Sequence, residues 1–529
     1  MPSDCISYQD SGYFSSLIVD YLNQKQNLSE LYNRFPTIEN FEGQIAEKAQ
    51  NFPDENRRVL VQSLTSQYQN SKVSEHTKTN IEALSKNTTF TVTTGHQLNL
   101  FTGPLYFLYK IISAINLAKE LKQKYPNNDF VPVYWMATED HDFEEINYFT
   151  FNQKKFRWNR ESSGAAGRLS TDGLENVFDL FSKELGFSKN ADYVRELFQN
   201  AYLKHENLTD ATRFLANELF GEYGLVIVDG DDKELKRLFI PYVKQELTEQ
   251  VSSAEVAQSA KKLEGYKIQV NPREINLFYL DDKLRERIIL EGDTYIVNNS
   301  PIRFSKSELL EELENHPERF SPNVIMRPLY EEVILPNLCY IGGGGEIAYW
   351  LELKSFFDKV GVTFPILLVR NSVLLTSEKQ SKKADALGLS WKDLFEKPTD
   401  FANRKINEIS EFPINLMPQR LALQKQFADL FALAEQTDKS FTGAVKAQET
   451  KQLKGLDNLE KRLLKAQKRK HADELERVAN LRNELFPFGG LQERQNNFSE
   501  FWLEQGENLI PNLLAELNPL AQIFNIVTV

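Results

Sequence analysis

TVTTGHQLNLFTGPLYFLYKIISAINLAKELKQKYPNNDFVPVYWMATEDHDFEE, residues Thr91–Glu145, decides how this chain folds. A β-rich apolar run holding Phe90 and Val92 ends at Gly95, and a loop with Gly103 and Pro104 follows. Apolar side chains then recur at helical spacing: Leu105, Leu108, Ile112, Ile115 and Leu121. Asn127 and Asn128 turn the chain into a second β-run, Phe130 to Met136. A strand–loop–helix–strand unit of this length predicts two parallel, neighbouring strands. Both strands end in polar clusters, Thr94-Gly95-His96-Gln97 and Glu139-Asp140-His141-Asp142. Ligands of open α/β sheets bind beyond the carboxyl ends of the strands, so these clusters are a candidate site.

Working outward, residues 14 to 86 carry helix-spaced Leu17, Tyr21, Leu22, Val59, Leu60 and Leu64, and are expected to cover one sheet face. After Ile146 the run NYFTFNQKKFRWNR alternates aromatic and polar residues and breaks at ESSGAAGRLST, which marks an insertion. GLVIVDGDD, Gly224 to Asp232, is a further buried strand, with a helix expected from Lys233. INLFYLDDKLRERIILEGDTYIVNNSPIRF predicts a small antiparallel meander turning at Asp281-Asp282 and at Glu291-Gly292-Asp293. A second strand–loop–helix–strand unit follows. Its strand lies near Leu338 to Ile341, four glycines (Gly342 to Gly345) lead to a helix from Glu346, and FPILLV ends at Arg370-Asn371-Ser372.

Between Gln419 and Leu485 no strand is expected. Leu456, Leu459, Leu463 and Ala466 step by three and four, and Leu475, Val478 and Leu485 continue after a slip near Lys470. The pattern predicts a long α-helical hairpin with a coiled-coil seam able to self-associate. FPFGG stops it, and the tail to Val529 is expected to return to the core. The resulting division is 1–379 for an α/β core with insertions near 146–175 and 262–305, 380–485 for the coiled coil, and 486–529 for the returning segment.

The totals narrow the function. A chain of 529 residues exceeds one compact core. With 62 Lys and Arg against 75 Asp and Glu, the net charge of −13 argues against a general nucleic-acid or anionic-membrane partner. Cys5 and Cys339 alone build neither a disulfide framework nor a Cys-based zinc site. The N-terminus lacks a basic segment followed by an apolar core, and no apolar run reaches the ~18 residues of a membrane span, so a cytoplasmic protein is expected.

Chemistry concentrates in a few motifs. The turn Thr94 to Gln97 could present backbone N–H groups to a phosphate or carboxylate, or simply connect strand to helix, with Gly103, Tyr106 and Lys110 close behind. Glu139, Asp140, His141 and Asp142 follow a strand containing Trp135, and so many ionisable groups are costly to desolvate unless they bind one another or a ligand. Carboxylates beside His141 would fix its tautomer for work as a base. His141 and Glu145, spaced i and i+4, could share a metal, and a capped helix start is the plain alternative. Gly342 to Gly345 before Glu346 and Tyr349 let backbone approach a ligand, although the run matches neither the dinucleotide fingerprint nor a P-loop. Arg370, Asn371, Ser372 and Arg327 could meet an anion or form structural ion pairs. The basic run Lys461, Arg462, Lys465, Lys468, Arg469 and Lys470 reads as a solvated face, with phosphate binding as the other reading.

TGHQ with LFTGPLY, PVYWMATEDHDFEE, MRPLYEEVILP, IGGGGEIAYW, LLVRNS and the closing LFP with LQER, in this order, resemble the bacillithiol biosynthesis cysteine-adding enzymes. The resemblance spans nearly the whole chain. It implies a Rossmann-like core with connecting insertions, similar to class I aminoacyl-tRNA synthetases, and a coiled coil used in homodimerisation. The implied activity is addition of cysteine to glucosaminyl-malate, completing bacillithiol. On this reading ATP activates a carboxylate, and the glucosamine amine attacks it. His141, oriented by Asp140 or Asp142, takes the amine proton, while Arg370 and Lys110 neutralise the acyl group. The turn Thr94–Gln97 and the loop Gly342–Gly345 hold phosphates or carboxylates. Family members often carry TGQQ at Thr94 to Gln97, which moves weight from the His96 ring to the turn and Gln97. A nucleotide-binding assembly protein without turnover and a tRNA-aminoacylating or tRNA-modifying relative are the alternatives.

Overall fold

A five-stranded parallel sheet stands at the centre of the molecule, whose computed structural model describes residues 4–529. In chain order its strands are β1 (Thr89–His96), β2 (Asp129–Met136), β3 (Val226–Asp229), β4 (Asn337–Gly342) and β5 (Ile366–Val369). Their spatial order is β5-β4-β1-β2-β3. β1 pairs with β2 from Thr89↔Asp129 to His96↔Met136, as the opening stretch predicts. β4 joins on the other side, with Ile341 opposite Thr94. The chain therefore runs outward from β1 in both directions, and the reversal falls between β1 and β4. That is the switch point at which sheets of this kind bind ligands.

The strands are buried on both faces, which suits near-continuous apolar runs in β2 to β5. β1 is threonine-rich instead, and its hydroxyls find partners: Thr93 donates to the Asn337 Oδ1 at 2.9 Å and Thr94 to the Ile341 carbonyl at 2.8 Å. Helix α1 (Tyr106–Lys124) is buried on nearly every side from Phe107 to Ala118. Helices α2 (Lys233–Glu249), α3 (Met326–Ile334) and α4 (Gly344–Trp350) complete the layers. Asp232 caps α2 by accepting the Leu235 N–H at 2.9 Å, so that helix begins at Lys233 as expected. The N-terminal helices Asn40–Asn51 and Asp54–Gln67 are locked to the core by buried cations. Lys48 pairs with Glu332 at 2.7 Å, and Arg57 donates to the Thr89 carbonyl at 2.7 Å.

The first insertion is a two-stranded hairpin, Tyr148–Phe151 with Lys154–Arg157. Asn152 and Gln153 both take positive φ at its turn, matching the twist a two-residue hairpin needs. The second is an antiparallel sheet of five strands, ordered Arg303–Ser305, Thr294–Val297, Leu284–Glu291, Leu277–Asp281 and Phe320–Pro322. Its turns fall at Asp281-Asp282 and around Gly292, as read. The fifth strand was not anticipated, because Phe320–Pro322 is three residues long and arrives after an intervening helix, Lys306–Asn315.

Met417–Ala434 and Lys439–Lys470 form the expected helical hairpin, and the slip near Lys470 is a break at His471 before Ala472–Leu485. Only Phe427, Ala434 and Val445 form a small buried cluster between them. Leu421, Leu430, Leu433, Phe441 and Leu459 remain 41–58% exposed. The tail does return: Phe524–Thr528 pairs parallel to Ser372–Thr376 and antiparallel to Asp4–Ile6.

Candidate functional site

The carboxyl ends of β1, β2 and β4 open into a cavity of about 650 Å³. Gly95, His96 and Gln97 line it from β1, and Met136 to His141 from β2. Glu346 and Tyr349 of α4 and Arg327 of α3 line it too, with Phe278, Arg285 and Arg287 of the inserted sheet and Arg273 of the segment that leads into its strand Leu277–Asp281. A second cavity of about 550 Å³ lies beyond Gln97 and Tyr106, which border both, and Gly103 and Arg494 line it.

Three charge networks shape the main cavity. At the switch point Lys110, 1% exposed, donates to the Gly95 carbonyl at 2.6 Å and pairs with Glu346. Burial pulls the Lys110 pKa down, and Glu346 partly offsets this. Beside it Arg327 donates to Glu331 at 2.6 Å and to the Tyr349 hydroxyl at 3.2 Å. Burial lifts Glu331 to about 7 in spite of Arg327. At the ends of β2 and β3, Lys236 bridges Glu139 at 2.6 Å and Asp231 at 3.1 Å, and Arg168 grips Asp231 through two nitrogens. Burial pushes the Glu139 carboxyl up. The Asp231 carboxyl also feels burial, but the Lys236 and Arg168 charges outweigh it and hold it down.

The third network joins the sheet to the insert. Arg285 donates to His141 Nδ1 at 2.7 Å, to Ser321 Oγ at 3.0 Å and to the Pro322 carbonyl at 3.2 Å, with its guanidinium over the Phe278 ring. Burial and the Arg285 charge lower the His141 pKa, so the ring is a neutral acceptor at Nδ1 and carries its proton on Nε2. Asp140 approaches His141 Nδ1 only to 3.8 Å, and its own oxygens accept the His141 backbone N–H at 2.8 Å and the Gln97 amide at 2.7 Å. The expected carboxylate–imidazole orientation is therefore replaced by an arginine–imidazole one. Asp142 does not reach the cavity. The His141–Glu145 pairing fails too, because Glu145 accepts from Gln97 at 2.9 Å. Among the described residues no three His, Cys, Asp or Glu side chains are grouped to hold a metal ion.

Other expectations are revised in the same way. Arg370 is 2% exposed and holds Glu493 of the returning segment with two nitrogens, at 2.7 and 3.0 Å. It lies behind the cavity, so the ion-pair reading prevails over direct contact with an acyl group. Asn371 and Ser372 are buried beside it, Asn371 bonded to Ser113 and to the Asn518 carbonyl. Gly342 ends β4, and α4 starts within the glycines at Gly344. The Gly343 N–H already meets the Glu346 carboxylate at 3.2 Å, so the glycine run is no open anion cradle. A Cβ on Gly342 would stand 2.8 Å from that carboxylate, which is why this position stays bare. Thr94 serves the sheet, and Gly103 borders the second cavity only. His96 faces the cavity 7% exposed among Tyr106 and Phe107, and burial drives its pKa well below 6.5. Cys339 is buried in β4, a core residue as expected.

The residues that sequence reasoning missed are Arg273, Arg285 and Arg287. Arg285 and Arg287 stand at i and i+2 on one strand, so they share a face. Only the docking of the insert over the sheet aims that face at the cavity.

A parallel sheet of this order, with a charged cavity at its switch point and an inserted sheet over it, defines a Rossmann-like protein. Residues 1–371 match the family model "Bacillithiol biosynthesis BshC, N-terminal Rossmann-like domain", and residues 373–529 match "Bacillithiol biosynthesis BshC, C-terminal coiled-coil domain". The chain belongs to this family. It is 67% identical to a Flavobacterium johnsoniae protein over the full length of both, 60% identical to one from Flavobacterium psychrophilum over 100% of this chain and 99% of the relative, and 58% identical to one from Christiangramia forsetii over the same shares. All three carry the name "Putative cysteine ligase BshC".

Proposed function

We propose that this chain is a ligase that joins the carboxyl of cysteine to the amine of glucosaminyl-malate, completing bacillithiol in the cavity at the ends of β1, β2 and β4. The supporting observation is the polarity of that cavity. Among the described residues Asp140, beyond the end of β2, has no Lys or Arg partner, and the guanidinium groups of Arg273 and Arg287 from the insert have no carboxylate partner, which suits an acceptor with an amine at one end and acids at the other. ATP serves as the activating co-substrate: the cysteine carboxylate attacks it and displaces pyrophosphate or ADP, and AMP or phosphate then departs when the amine nitrogen bonds the acyl carbon. The nitrogen must shed a proton, and Asp140 and His141 are the groups placed to accept it. His141 can do so only when Arg285 turns away from Nδ1. Lys110 and Glu346 fix the floor on which the acyl group rests. The exposed leucines of the helical hairpin support pairing with a second copy of the chain.

The test supplies purified protein with glucosaminyl-malate, cysteine and ATP and follows bacillithiol together with AMP and ADP. AMP would identify an adenylate and ADP an acyl phosphate. Asp140→Ala and His141→Ala should each lower turnover about 100-fold or more, the scale of a lost acid–base group. Full activity in both folded variants would end the assignment of proton transfer to this pair.

A further inference from the structure

Four arginines line the cavity, and they divide into two kinds. Arg327 is committed to Glu331 and Tyr349, and Arg285 to His141, Ser321 and the Pro322 carbonyl. Arg273 and Arg287 differ: both are exposed, both come from the inserted segment, and among the described residues neither guanidinium has a hydrogen-bond or ion-pair partner. The lysines beneath the cavity are spent as well, Lys110 on Glu346 and the Gly95 carbonyl and Lys236 on Glu139 and Asp231. The cavity therefore offers two uncommitted cations, both from the inserted segment.

Planar guanidinium forks take carboxylates through paired hydrogen bonds, and two free forks suit a ligand with two acidic groups. The lining carboxylates decide between kinds of anion. Glu139 is paired with Lys236 and Glu346 with Lys110, which leaves Asp140, bonded to the Gln97 amide, to meet an ammonium. A dicarboxylate that carries an ammonium at its other end suits Arg273, Arg287 and Asp140 at once, whereas a nucleoside triphosphate offers Asp140 no such group. We infer that Arg273 and Arg287 form the subsite for the two carboxylates of the acceptor, and so decide which way its amine points. This rests on the reaction proposed above. The pair are specificity residues. They hold the end of the acceptor remote from the new bond, so their loss should raise KM and leave kcat nearly unchanged.

The experiment measures equilibrium binding and steady-state kinetics for the full-length protein and the Arg273→Ala/Arg287→Ala variant. Three ligands are compared: glucosaminyl-malate, methyl glucosaminide lacking the malyl group, and ATP. Each charge-assisted contact is worth roughly tenfold, so the double variant should bind glucosaminyl-malate on the order of 100-fold more weakly and bind methyl glucosaminide as wild type does. ATP affinity should not move, and Arg273→Lys/Arg287→Lys should recover part of the loss. Equal affinity of both proteins for glucosaminyl-malate would overturn the inference alone. So would a loss confined to ATP, which would assign the arginines to phosphates. Wild-type protein that fails to bind glucosaminyl-malate would instead overturn the proposed substrate itself, and this subsite with it. Both side chains are exposed and unpaired, so the variant should keep its thermal stability.

Discussion

Glu493→Leu should loosen the attachment of the returning C-terminal segment more than any other single carboxylate removal near Arg370. Glu493 is 1% exposed and accepts from Arg370 at 2.7 and 3.0 Å and from the Val373 backbone N–H at 3.0 Å. Arg370 Nε has no partner of its own, so without Glu493 the buried guanidinium keeps only the Asn371 carbonyl at 2.8 Å and the Ser372 hydroxyl at 3.3 Å. Breaking a buried pair by removing one partner costs about 3–5 kcal/mol, because the survivor's charge is left uncompensated. A chain this large need not unfold in one step, so a local probe is the better measure. Amide exchange at Leu375, whose N–H donates to Gln492 of the same segment at 2.9 Å, reads the opening. At about 1.4 kcal/mol per decade, the expected acceleration is roughly two to nearly four decades. The double change Arg370→Met/Glu493→Leu removes both charges and should restore most of the protection. Exchange at Leu375 within threefold of wild type in Glu493→Leu would refute this reasoning. So would a double variant no better than the single one.

Two further outcomes follow from the site. The His141 pKa lies below its ordinary 6.5, so the neutral ring contributes stability that is fully present above about pH 6.5 and is lost as the pH falls toward the folded value. Limited proteolysis across 277–322 should therefore speed up on acidification, and His141→Gln should flatten that dependence. Gly103→Ala should destabilise by about 1–3 kcal/mol, since Gly103 sits at φ 61 and ψ −131 and a Cβ there would come within 2.7 Å of the Asn99 Cβ. Chemical denaturation measures it, and Asn99→Gly in the same background should relieve the clash but not the backbone strain.

Much of the fold was legible because its signals are local. The periodicity from Leu105 to Leu121 and the β-runs on either side specify a parallel pair without reference to the rest of the chain. The site was legible only at the strand ends. Nothing near Arg370 in sequence announces Glu493, more than a hundred residues downstream, so a strand-end arginine looks free when it is not. The same distance hid Arg285, whose hydrogen bond to His141 changes which ring nitrogen holds the proton. Gly342 to Gly345 misled for the opposite reason. The helix starts inside the run, and Glu346 occupies the amide that an anion would need.

The three-stranded sheet that gathers Asp4–Ile6, Ser372–Thr376 and Phe524–Thr528 bears on how the molecule is made. During vectorial synthesis the central sheet has all its strands once Val369 leaves the ribosome, and it can fold then. At ordinary elongation rates the strand Phe524–Thr528 emerges roughly ten to thirty seconds later. Through that interval Ser372–Thr376 is an unpaired apolar edge, and Arg370 waits for a counter-ion not yet translated. The three-stranded sheet therefore closes well after the central sheet can form, and its edge stays open through that interval.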